Sequence, residues 1–298
     1  MIKKICNPAN GLFLVDVLLV IFLHTEMTTK SSIPFLIVLV LAEALFLFFY
    51  LGKGSKSSVD IAFVTFLFLG VWEFSFKMGW THPVLVPSPE NVFYVFVDQR
   101  ELIFQGIVSS LGLLAWGVGL ALLIGVFLGL VVGGIPRLRN TVTPIANVIS
   151  PIPPLVYTPY VVAVAPNFKI ASIFVIFSAV FWPTFQTKIA RVAGMDKNIL
   201  QAAKVMDVTT PTMLFQVILP YCMPGIIGGL SGSMRAAFLC LTGAELLGAS
   251  AGLGYFVKKF SDFADYTRVI AGIIVMGIVV TIIEILLRQL EKKVIKWK

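Results

Sequence analysis

Apolar residues in this chain come in long runs rather than at alternating positions. The runs approach or exceed the roughly 17 to 25 residues that carry a helix across a bilayer, and the alternating segments of about ten residues that mark a membrane barrel are absent. They predict spans at residues 11–24, 33–51, 61–80, 107–133, 153–165, 170–190, 223–247 and 269–290. The first and fifth are short for a full crossing. The fifth either extends back through residues 145–149 or is broken at Pro151, Pro153 and Pro154. Such a break is tolerated at membrane depth only where its backbone is buried in protein or lines a cavity. The pattern predicts an all-α polytopic membrane protein of about eight transmembrane helices.

Composition agrees. Hydrophobic residues make up 58% of the chain and charged residues only 13%, against about 25% charged in soluble domains, and the mean hydropathy is +0.96. Basic residues then set the orientation. With the N-terminus inside, fifteen fall on the cytoplasmic side, Lys188, Arg191, Lys197 and Lys204 among them. Seven fall outside (Lys30, Lys77, Arg100, Lys169, Lys258, Lys259 and Arg268), and Arg235 lies within a span, which accounts for all 23. The net charge of +8 reads as this inside bias and not as a nucleic-acid stripe. The N-terminal Met-Ile-Lys-Lys before an apolar run resembles a signal peptide, but Asp16 interrupts the run and no small-residue cleavage site follows His24, so a retained helix is expected.

The chain carries no visible catalytic constellation. Cys6, Cys222 and Cys240 are scattered and odd in number, which fits neither a disulfide framework nor a metal site. His24 and His82 are isolated. The segment 52–57, Gly-Lys-Gly-Ser-Lys-Ser, lacks the first glycine and the strand context of a phosphate-binding loop. A non-catalytic chain with no metal and no cofactor of its own is therefore expected.

The most distinctive polar stretch is 201–220, QAAKVMDVTTPTMLFQVILP. Gln-Ala-Ala-Lys favours a helix and offers a smooth alanine face, and Val208, Thr209, Thr210 and Pro211 are expected to break it, since proline lacks an amide hydrogen and disfavours helix at the residue before it. The stretch resembles the coupling loop of ABC importer permeases, whose pattern is Glu-Ala-Ala, three residues, Gly, nine residues, then Ile-x-Leu-Pro. Gln201, Ala202 and Ala203 fill the triplet, Asp207 stands at the glycine, and Val217, Leu219 and Pro220 fill the end. Gln201, Asp207 and Val217 depart from the usual residues.

Other segments resemble the nitrate, sulfonate, taurine and bicarbonate branch of these permeases: Trp72-Glu73 followed by Leu85-Val86-Pro87-Ser88-Pro89, then Pro151-Ile152-Pro153-Pro154-Leu155, and Gly252-Leu253-Gly254-Tyr255. The similarity covers about residues 61–297. Residues 164–169 depart from the branch's usual Trp-Phe-Gly-Ile-Gly. The resemblance implies a type I ABC importer permease-like helical bundle of six core helices preceded by two N-terminal ones. The expected division is an extra two-helix segment at 1–58 and a permease domain at 59–298 whose coupling loop spans about 191–220. It further implies a multi-pass cell-membrane subunit importing a small solute, an anion of the branch's kind or a vitamin precursor. Its implied partners are a second copy of this chain, an external binding protein, membrane lipid, and ATP-binding subunits that hold ATP and magnesium. The rival is an ion-coupled secondary transporter, against which stand the coupling loop and the lack of a visible inverted repeat.

Ionisable residues within spans are costly and point to function or to paired partners. Arg235 and Glu73 each lie about 18 Å along their helices from the cytoplasmic end, at about 1.5 Å per residue. That depth favours a structural Arg235–Glu73 ion pair, with an Arg235 facing an anionic solute or a gate as alternatives. Glu245, near the outer end of the same helix as Arg235, is expected in outer gating or helix-end hydrogen bonding. Asp16, Glu43 and Glu284 are left to protein partners or headgroups. Gly117, Ala121, Gly125, Gly129 and Gly133 form a ladder that allows close helix approach, favouring a static contact over a sliding one. Gly225, Gly228, Gly229, Gly232 and Ser233 form a second small-residue surface.

Overall fold

The computed structural model describes residues 7–23, 30–53 and 56–294, and among them every regular element is helical. The N-terminal Met-Ile-Lys-Lys, Cys6, the predicted span end at His24, and Lys296 and Lys298 lie outside the described residues. Two compact units divide the chain, one of Met1–Phe104 with Phe256–Ile274, the other of Gln105–Tyr255 with Val275–Lys298.

In the first unit, α1 (Pro8–Phe22), α2 (Ile33–Lys53) and α3 (Lys56–Lys77) pack around a shared apolar core. Val20, Phe35, Leu39, Phe46, Ala62 and Phe66 form its buried centre. Proline at the first turn suits α1, because the missing amide would have no intrahelical partner there. Gly70 of α3 leaves room for Asp16 of α1, whose carboxylate oxygen would sit 2.2 Å from an added Cβ. The chain then turns through Gly79 at φ 70° into the Pro-Ser-Pro segment. There the Trp72 indole N–H donates to the Pro87 carbonyl at 3.0 Å, and the Ser88 hydroxyl caps α4 (Pro89–Asp98) by accepting the Asn91 amide at 3.2 Å. Two segments that are distant in sequence and carry the family resemblance are thus one structural feature.

The second unit is built on α5 (Arg100–Gly134) and α8 (Phe168–Ala193). The glycine ladder of α5 is their contact. An added Cβ at Gly117 would lie 2.5 Å from Ile176, at Gly129 2.7 Å from the Lys188 Cβ, and at Gly133 2.8 Å from the Val192 Cβ. The close approach expected of the ladder is therefore present. Between these helices, α6 (Pro136–Ile149) and α7 (Pro154–Val164) meet at 88° across Pro151 and Pro153, so the proline-rich segment is a break, as one reading of the sequence expected. Leu155, which ends that segment, reaches the space that Gly243 leaves open and joins Val161, Val175, Ala179 and Cys240 in a small core.

After α9 (Lys197–Val205), Thr210–Thr212 leads into a π-helical turn, Met213–Ile218, and then α10 (Leu219–Gly228). The Leu219 amide bonds to the Leu214 carbonyl, five residues back. Pro220 cannot donate and its ring would crowd the carbonyl four residues back, and a widened turn relieves both problems. α11 (Leu230–Gly248) follows at a 55° bend at the Gly228–Gly229 pair. Then come α12 (Leu253–Asp262) and α13 (Tyr266–Val294). Among the described residues five helices are long and apolar enough to cross a membrane, and up to seven if each bent pair is one span; α1, with 15 residues, is shorter. Each predicted span coincides with one of these helices or bent pairs.

Candidate functional site

The polar stretch forms a helix-turn element on the surface. Its helix starts four residues earlier than Gln201, because the Asp196 carboxylate accepts the Asn198 amide at 2.9 Å and opens α9 at Lys197. Gln201 and Ala202 are exposed, whereas Ala203 is buried. The alanine pair is thus not one smooth outer face: Ala202 faces out and Ala203 faces in. The break overlaps the expected one but starts earlier, at residues 206–209, with Val208 and Thr209 non-helical as expected. Thr210 and Pro211 belong to the next helix, and the chain reverses at Asp207, whose φ of 50° is left-handed. That conformation is easy for glycine and tolerable for aspartate, which explains why aspartate stands at the pattern's glycine.

Two residues that sequence reading missed flank this turn. Val205 and Met206 are 87% and 77% exposed, and nothing in one sequence separates them from ordinary core residues. Val217 and Leu219 are half-buried and pack on Leu130, Val192, Met195, Ile218 and Cys222, while Pro220 is exposed. Hence the end of the motif anchors the element to α5 and α8, and its beginning is presented outward.

Glu245 sits at the centre of a buried polar knot. Its carboxylate accepts the Ser110 hydroxyl at 2.7 Å and the Gly254 amide at 2.7 Å, and Ser110 in turn accepts the Leu253 amide at 2.9 Å. Gly252 has a φ of 131°, and an added Cβ there would lie 2.2 Å from the Glu245 carboxylate. At Gly254 it would lie 2.7 Å from the Glu245 Cβ. The Gly-Leu-Gly-Tyr segment therefore has its glycines because a carboxylate fills the space where side chains would be. Of the two expectations for Glu245, helix-end hydrogen bonding is the one the geometry displays.

Arg235 and Glu73 do not have the expected partners. Arg235 binds Glu284 of α13 through Nε and through Nη2, the latter at 3.3 Å, and Arg288 approaches the same carboxylate at 3.6 Å. Glu73 instead pairs with Lys77 one turn on, at 2.7 Å. Lys77 also lies 3.6 Å from Glu90 and donates to the Leu19 carbonyl at 2.9 Å. The Arg235–Glu73 pair is thus replaced by two separate ones, and Lys77, counted on the outer side from sequence, is buried within this cluster. Lys188, counted on the cytoplasmic side from sequence and lying within the predicted span 170–190, is likewise only 3% exposed and lies within α8. No group of three or more histidines, cysteines, aspartates and glutamates suited to a metal ion occurs among the described residues.

Comparison with known proteins matches residues 121–296 to the family described as binding-protein-dependent transport system inner membrane component. The chain is similar to a taurine transport system permease protein of Escherichia coli, 28% identical over 236 residues that cover 77% of this chain and 86% of that protein. It is similar to a nitrate import permease protein of Leptolyngbya laminosa, 26% identical over 82% of this chain and 90% of that protein. It is also similar to a bicarbonate transport system permease protein of Synechocystis, 26% identical over 72% of this chain and 76% of that protein.

Proposed function

The chain belongs to the family of binding-protein-dependent transport system inner membrane components, and from that premise we propose the finer assignments of solute, partners and coupling site. It is a multi-pass membrane permease subunit of an ABC importer. The solute we assign is a small anion, by similarity to permeases whose names specify taurine, nitrate and bicarbonate. ATP and magnesium are held by separate ATP-binding subunits, an external binding protein delivers the solute, and two copies of this chain form the membrane core. Glu245 closes the end of the pathway that carries the Gly-Leu-Gly-Tyr segment, while Arg235 and Glu73 brace it through their own ion pairs. The coupling residues are Gln201, Ala202, Ala203, Asp207, Val217, Leu219 and Pro220.

The observation that carries the coupling assignment is the outward presentation of Ala202, Val205 and Met206 beside the left-handed turn at Asp207. Exposed Ala202, Val205 and Met206 offer a partner protein an apolar contact, and the anchored end at Val217 and Leu219 lets force applied there reach α10. Ala202→Glu and Met206→Glu should each lower recovery of the ATP-binding subunits with the tagged permease at least tenfold, with its thermal unfolding in detergent unchanged. Undiminished recovery with both variants rejects this element as the docking site. Ala203 is unsuitable for the test, because a charge at a buried position disturbs the fold first.

A further inference from the structure

Within the second unit, α5, α8, α10 and α11 line a half-open cavity of about 300 Å³. Its wall is formed by Thr184 and Lys188 of α8 together with Gly225, Gly229, Gly232 and Ser233 from the small-residue surface. That surface does not make a tight helix contact at Gly232, where an added Cβ would meet nothing within 4 Å. Glycine here leaves open space.

Lys188 is the only charged side chain lining this cavity. Its stem is packed against Gly129 and the residue is 97% buried, since its exposure is 3%. Among the described residues it forms no ion pair with a carboxylate; its titratable neighbours are Cys222 and Arg191. A buried ammonium without a counterion is costly inside a membrane protein, and an anion entering the cavity would offset that cost. The nearby Ser233 hydroxyl donates to the carbonyl of Gly229 and the Thr187 hydroxyl to that of Pro183, so both hydrogens are already committed. The Lys188 ammonium, beside the Thr184 hydroxyl, is therefore the charged donor available to an occupant. At the opposite end of α8, Lys169 lines a wider cleft of about 670 Å³. The helix that packs on the glycine ladder thus brings one lysine to a cavity at each of its ends, about 28 Å apart at 1.5 Å per residue.

We propose that the Lys188 cavity is an anion-binding station on the transport route, taking a compact oxyanion such as nitrate or a short alkanesulfonate. The inference rests on the reading of the chain as an anion importer and names the residue within the membrane that would hold the solute. At about 30 Å³ per water, the cavity has room for such an anion with part of its hydration shell. Glycine and serine in the opposite wall keep it open without adding competing carboxylates.

The test uses the full permease in lipid nanodiscs, with thermal unfolding measured as sodium nitrate or sodium ethanesulfonate is added. The wild type and Lys188→Arg should be stabilised by several degrees at 100 mM anion, and Lys188→Met should lose that shift. Equal shifts in wild type and Lys188→Met overturn the station, even if uptake assays prove that the transporter carries an anion. A shift that depends on Lys188 together with uptake of neutral solutes only would instead overturn the proposed solute class and leave the station standing. If Lys188→Met does not fold, mass spectrometry can follow reductive methylation of Lys188 in the wild type. Nitrate should slow it at least threefold relative to the other lysines, and an unchanged rate overturns the proposal.

Discussion

At Glu245 a single carboxylate satisfies donors from two directions, and the way it does so orders the effects of its substitutions. Glu245→Ala leaves the Ser110 hydroxyl and the Gly254 amide without their partner in a buried site, which costs about 1–3 kcal/mol for each orphaned group. Glu245→Gln keeps one acceptor oxygen for Gly254 but leaves the Ser110 hydroxyl hydrogen without its acceptor, so it should cost less than the alanine variant. Gly252→Ala should match or exceed the alanine variant, because its Cβ falls on the carboxylate and its φ of 131° is strained for any side chain. Thermal unfolding of the three variants checks this order. A Gly252→Ala protein as stable as the wild type would contradict the geometry of the knot. The glycines of this segment were legible in the sequence as a motif. Their reason was not, since a carboxylate seven residues before Gly252 cannot be seen to occupy its side-chain space until the chain is folded.

Elements were easier to read than partners. Hydropathy runs located each helix or bent pair, although only five to seven among the described residues are long enough to cross a membrane, and the prolines marked the 88° break, because both signals are local. Partner choice needs more than depth: Arg235 and Glu73 were matched by depth alone, whereas Arg235 pairs with Glu284, far along the chain, and Glu73 with Lys77, one helical turn on. The turn after α9 lies between these cases. Its break was expected over Val208 to Pro211 and lies over Met206 to Thr209, since proline is well suited to a helix's first turn and there opens the next helix. The left-handed φ of 50° at Asp207 makes a specific prediction about this element. Asp207→Gly should raise stability or leave it unchanged, whereas Asp207→Val should lower it by about 1–2 kcal/mol, the cost of holding a β-branched residue in a left-handed conformation. Denaturation of the purified permease distinguishes them. Equal stability of the glycine and valine variants would mean that the turn adopts another conformation in solution.

For the whole molecule, the question is what the two N-terminal helices contribute. The sequence expectation was a separable segment ending near residue 58, and the structure supplies the contacts that removal would break. Deleting residues 1–56 uncovers Ala62 and Phe66 of α3, but in a bilayer lipid replaces that apolar cover, so the loss is in packing and not in hydrophobic burial. The polar consequence is also mild. Lys77 loses the Leu19 carbonyl yet keeps Glu73 and Glu90, and Asp16, a further buried carboxylate, departs with the deleted helix. Lys77→Met in the full chain is the more severe change, because it strands Glu73 and Glu90 without a nearby cation, and breaking a buried ion pair on one side costs about 3–5 kcal/mol. The truncated permease should therefore insert and retain its partners at somewhat reduced thermal stability, while Lys77→Met should unfold at lower temperature than the truncation or fail to accumulate in the membrane. Membrane yield and thermal unfolding of the two proteins, purified in parallel, decide the point. A truncation that aggregates beside a fully stable Lys77→Met would show that the N-terminal helices hold the first unit together by packing, with the charge cluster secondary.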